Sequence, residues 1–225
     1  RQERWTLFAR IMATLGALAF VAGVMFLTES NIYVNFALAA GLAVAAAVAS
    51  SGLLGALAIL QLSVALGSGT AYWHASYGLW VERPALSIAV LALVTLGLYL
   101  SSKRVGAAHE RVAIIAARTA IMMVNAAFLV GTLFGDPMLK WPASVFIWGW
   151  AAVLAGIGVW GIWANRRWVV NMAAVFGALH FYTQWFENLG ATPLTVIGGG
   201  ALLIGFAFAL RWFNLRVQHA KAGGT

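Results

Sequence analysis

Two histidines precede two carboxylates at nearly equal spacing: His74 lies eight residues before Glu82, and His180 seven before Glu187. Brought together, they would make a two-histidine, two-carboxylate set suited to a divalent metal. The imidazoles could instead ligate a haem axially. Neither histidine has a second ligand at i, i+4 on its own segment. Each therefore also fits as a hydrogen-bonded ring within an aromatic interface layer, and no cofactor is assigned. His109 and His219 fall in a polar loop and a polar tail, where solvation is expected. Ser68, in Gly67-Ser68-Gly69-Thr70, lacks the full nucleophile-elbow pattern. Gly198-Gly199-Gly200 has no following lysine to make a phosphate loop; it fits close helix–helix approach instead. The chain has no cysteine, which removes disulfides, thiolate nucleophiles and cysteine-held metals.

Polar residues inside apolar segments are the remaining candidates. These are Arg118 and Asn125 in one segment, Gln61 in a second and Asn171 in a third. Arg118 and Asn125 could line a polar pathway. Alternatively, Arg118 lies near enough to the segment end for its stem to carry the guanidinium to the headgroups. No Asp or Glu falls in the middle of any apolar segment. Ion-coupled carriers usually place a carboxylate there, so this counts against such a carrier.

The elements that must position these residues follow from composition. Of 225 residues, 63% are hydrophobic and 9% charged, against about 25% charged in a soluble domain; mean hydropathy is +0.89. An integral membrane protein is expected. Crossing a hydrocarbon core of about 30 Å takes roughly 20 apolar residues in a helix. Eight segments meet that length: 6–28, 32–50, 53–77, 84–102, 111–134, 142–164, 168–187 and 193–213. The expected fold is an all-α polytopic bundle of eight spanning helices in one transmembrane domain. It reads as four hairpins (6–50, 53–102, 111–164 and 168–213) with a cytoplasmic tail at 214–225. The chain begins Arg1-Gln2-Glu3-Arg4 without methionine, so further sequence is expected upstream. Its first apolar run reads as a span and not as a cleaved signal.

Lys and Arg counts orient the spans. With the N-terminus inside, ten basic residues (Arg1, Arg4, Lys103, Arg104, Arg111, Arg166, Arg167, Arg211, Arg216 and Lys221) collect on the cytoplasmic side, and only Arg83 and Lys140 lie opposite. Both termini are therefore expected to be cytoplasmic. The net charge of +8 is then matched to anionic lipid headgroups, with no nucleic-acid partner. Nine of the eleven tryptophans fall near segment ends, with Trp148 and Trp150 a turn or two inside, as amphipathic rings do at headgroup level.

The acids Glu29, Glu82, Asp136 and Glu187 recur in the outer turns of the four hairpins. Tyr72-Trp73-His74, Trp80 and Glu82-Arg83-Pro84 echo His180-Phe181-Tyr182, Trp185, Glu187 and Pro193, so an internal duplication is open. The stretch from His180-Phe181-Tyr182-Thr183-Gln184-Trp185-Phe186-Glu187 through Gly198-Gly199-Gly200-Ala201-Leu202-Leu203 to Arg211-Trp212 resembles the C-terminal part of bacterial predicted inner-membrane proteins of unknown function. The resemblance implies a bacterial inner-membrane location and no catalytic residue. The function expected is an accessory or scaffold component that packs with membrane lipids and other membrane-protein subunits. A small-molecule or lipid transporter, and a His74/His180 metal or haem protein, stay open as alternatives.

Overall fold

The computed structural model describes residues 2–28, 31–73 and 76–222. Among them the chain forms eight helices and one β-hairpin: α1 (Gln2–Leu27), α2 (Ile32–Val48), α3 (Gly52–Ala65), β1 (Ser68–Trp73), β2 (Ser76–Val81), α4 (Pro84–Ser102), α5 (Ala107–Phe134), α6 (Ala143–Trp163), α7 (Arg167–Leu189) and α8 (Pro193–Ala222). It separates into two compact units, Arg1–Ala143 and Ser144–Thr225, and the boundary falls within the expected third hairpin.

Among the described residues, four helices are long and apolar enough to cross a membrane: α4, α5, α6 and the Pro193–Trp212 part of α8. The expectation of eight spans is corrected accordingly. The apolar part of α1 (Ile11–Leu27), α2 and α3 are each under 18 residues; α3, at 14 residues, reaches only about 21 Å. Helix α7 has the length, but Arg167, Asn171, His180, Gln184 and Glu187 dilute its apolar character.

The expected span 53–77 is also corrected, because its second half is a β-hairpin. Residues 66–81 have the hydropathy of a span but not its backbone preferences. Tyr72, Trp73, Tyr77, Trp80 and Val81 are aromatic or β-branched strand formers. Gly67 ends α3 at φ +90, which a residue with a Cβ adopts only under strain. The strands pair antiparallel from Ser68↔Val81 to Trp73↔Ser76, and the Glu82 N–H donates to Gly67 O at 3.0 Å. The Trp80 indole lies over Gly69 on the facing strand, filling the space a Cβ would take. Both edges of a two-stranded hairpin carry unpaired backbone groups, so it belongs in water or headgroups and not in hydrocarbon. The stretches that echo each other in sequence adopt different structures, Tyr72-Trp73 a strand and His180–Glu187 a helix.

Among the described residues, three apolar clusters hold the first unit. Leu91 and Ala120 are fully buried with Ile59, Leu66 and Ala116, joining α3, α4 and α5. Leu42 and Ala46 of α2 pack with Leu54 and Ala58 of α3. Val81 of β2 packs on Ala127 and Val130 of α5, which seats the hairpin. Helices α2 and α3 turn tightly through Ala49–Ser51, and the Ser51 hydroxyl accepts Leu54 N–H at 3.4 Å to cap α3. In the second unit Trp150 of α6 is fully buried. Helices α7 and α8 meet where Gly198 and Gly199 lie under Trp185 and Tyr182, the close approach expected of that glycine run. Helix α8 continues to Ala222, so most of segment 214–225 is helical.

Candidate functional site

The structure gives several buried polar groups architectural partners. Asp136, an outer-turn acid in the sequence, is 2% exposed. Its Oδ1 accepts the N–H groups of Met138 and Leu139, both at 2.9 Å. Its Oδ2 accepts the Ala85 N–H at 3.0 Å, capping the first turn of α4, which Arg83 leaves without a side-chain cap. An antiparallel bridge with Trp141 holds the loop, and Gly135 enters it at φ +72, where a Cβ would collide with Trp141 O.

Gln61 donates from Nε2 to Asn35 Oδ1 at 3.0 Å, tying α3 to α2 through two buried amides. Asn35 escaped the sequence reading, although an amide one turn into an apolar helix, facing a second amide on the next, was signal enough. Asn125 is buried and donates to its own helix at Ile121 O, 2.9 Å. Arg118 is exposed. With Glu110, Arg111, Ile114 and Ile115 it lines a shallow depression along α5. Asn171 lies on an exposed face of α7.

His74 lies outside the described residues, as do Glu29 and the side chains of Tyr72 and Trp73. His180 packs edge-on against Trp150, with ring centroids 4.9 Å apart at 65°. Its Nδ1 and the Nε2 of Gln184, one turn on, are shielded without a hydrogen-bond partner. Glu82 and Glu187 are both exposed. No cluster of three metal-ligating side chains forms among the described residues.

The feature that most resembles a binding site is a cleft of about 510 Å³ between α2, α3, α4 and α5. Ala39, Ala43 and Ala47 of α2 form one wall, Gly55 and Ala58 of α3 and Ala113 and Ala116 of α5 the other, with Phe36, Leu62 and Val94 at the far end. Ser101, Val105 and His109 line the end nearest the α4–α5 loop. Ala40, Ala43, Ala47 and Ser101 are exposed, so the cleft opens on the surface of the unit. His109 is exposed, in keeping with the expected solvation, and sets its Nε2 3.2 Å from Ala47 O at the cleft mouth. The volume lies within the roughly 300–1,000 Å³ typical of ligand pockets. Its lining offers hydrocarbon contact along most of its length and polar atoms at one end. No protein family, curated protein or solved structure matches the chain.

Proposed function

We propose that the chain is a non-catalytic membrane component that packs laterally against lipids and other membrane-protein subunits. The observation that carries this reading is α8: it is apolar enough to span, yet only 6% of its apolar window is buried within the protein. Ala201, Gly205 and Ala209 recur every fourth residue on that exposed helix, and small residues at this spacing admit a second helix at close range. Gly198 and Gly199 already serve that purpose toward α7. Asp136, Gln61 and Asn35 have structural partners, which fits a scaffold better than an ion pathway.

Around the membrane-capable α4, α5 and α6, Lys103, Arg104, Arg111, Arg166 and Arg167 stand against Arg83 and Lys140 alone, which supports a bacterial inner-membrane placement with the α4–α5 loop cytoplasmic. The likeness of the last hairpin to bacterial membrane proteins of unknown function belongs to the same proposal. A second reading, a lipid transporter, is favoured by the cleft between α2 and α5. Purification in mild detergent tests the first reading. A discrete complex larger than one chain is expected, containing a second membrane protein in fixed ratio. A protein that elutes alone, with lipid as its only companion, would favour the second.

A further inference from the structure

We propose that the α2–α5 cleft holds one acyl chain of an anionic phospholipid, whose phosphate sits on the basic loop at the cleft mouth. This rests on the reading of the chain as a lipid-contacting membrane component. The shape suits a hydrocarbon chain: from Ala47 to Phe36 the wall follows α2 for about 16 Å at 1.5 Å per residue, and the lining along that length is alkyl, from Ala39, Ala43, Ala58, Leu62, Val94 and Ala116.

Charge selects the headgroup. Lys103 and Arg104 are exposed and stand between Ser101 and Val105, two residues of the cleft mouth. Arg111 is exposed one turn into α5. The Lys103 Nζ sits 4.8 Å from the centroid of the Tyr99 ring, which holds the ammonium near the loop. Helix α5 starts at Ala107 behind Gly106, with no side chain capping its first turn, so its free N–H groups add a weak pull on an anion. Glu110, in the same turn, is the opposing charge. An acyl chain gains little by leaving bilayer hydrocarbon for an apolar cleft, because both surroundings are equally apolar. Retention must then come from the headgroup, and the site should discriminate by charge.

The test uses the full chain, stripped of lipid in detergent and titrated with phosphatidylglycerol or with phosphatidylcholine of the same acyl chains, bound lipid being counted by native mass spectrometry. One phosphatidylglycerol per chain is expected, held on the order of tenfold more tightly than phosphatidylcholine. Lys103→Gln and Arg104→Gln should each weaken it about fivefold. Ala43→Trp, which fills an open part of the cleft wall, should abolish retention of both lipids. Ala40→Leu, a smaller filling at the same wall, should weaken it, which guards against misfolding of the tryptophan variant. Equal binding of the two lipids would overturn the proposal. So would an Ala43→Trp variant that binds as the parent does, displacement of the lipid by millimolar inorganic phosphate, or a disulfide-linked dimer formed through Ala43→Cys. Lipid retention together with a protein that purifies alone would refute the scaffold reading and leave this site standing; a stable partner complex without lipid retention would do the reverse.

Discussion

Asp136 caps a helix that begins fifty-two residues before it in the chain: its Oδ2 accepts the Ala85 N–H at 3.0 Å, while Oδ1 holds its own loop through Met138 and Leu139. One buried carboxylate thus fastens the end of α5 to the start of α4, below the β-hairpin. Asp136→Ala removes the acceptor for three N–H groups and is expected to destabilise the first unit by on the order of 3 kcal/mol. Thermal unfolding in detergent measures this. A melting temperature equal to the parent's would show that α4 is capped by other means.

The Gln61–Asn35 pair calls for a double-mutant cycle. Gln61→Leu and Asn35→Leu should each destabilise, because each leaves a buried amide without this partner, and the double variant should recover part of the loss. A coupling of about 1 kcal/mol is expected, in the range measured for hydrogen bonds between membrane helices. Strictly additive losses would mean that the two amides do not act on each other.

Replacing Gly67 by alanine places a Cβ at φ +90, against the Glu82 side chain. About 1 kcal/mol of destabilisation is expected from the backbone alone. Because the change sits at the root of the hairpin, it should also alter the fluorescence of Trp80, which stacks over Gly69. Unchanged emission and stability would argue that α3 continues past Ala65 as a helix.

Arg118→Leu is expected to change stability by no more than about 0.5 kcal/mol. The guanidinium is exposed on α5, and contacts made by exposed charges contribute little. A steep fall in melting temperature would place the side chain in a buried ion pair.

The absence of cysteine in the chain makes topology directly testable. On the proposed orientation, a single Leu79→Cys on β2 should react with an impermeant maleimide in intact cells. Ala107→Cys, at the start of α5, should react only after permeabilisation. Labelling of both from outside would overturn the orientation.

Much of the helical frame was legible in the residues. Pro84, at the first position of α4, marked its start, and the polar Ser101–Arg104 stretch marked its end, so the expected limits 84–102 coincide with the helix. The hairpin was not legible from hydropathy, because an apolar aromatic strand and an apolar helix score alike. Gly67 and Gly69, among strand-forming aromatics, were the local evidence against a span. The role of Asp136 could not be read from its neighbours, since its partner Ala85 lies far away in the chain. His109 is exposed as its polar surroundings suggest, but its contact with Ala47 O was not legible, because only the turn of α2 back toward α5 brings the two together. The cleft arises from alanines on facing helices, none of which is distinctive alone.

The central claim, that α8 offers its outward face to another membrane protein, is tested most directly by a photo-crosslinking residue at Gly205, where nothing beyond the adjoining turns of α8 itself lies within 4 Å of a Cβ. Irradiation of intact membranes should give one discrete adduct heavier than the chain by the mass of a second protein. The same residue placed at Gly198, under Trp185, should give none. A Gly205 adduct consisting only of lipid would contradict the account.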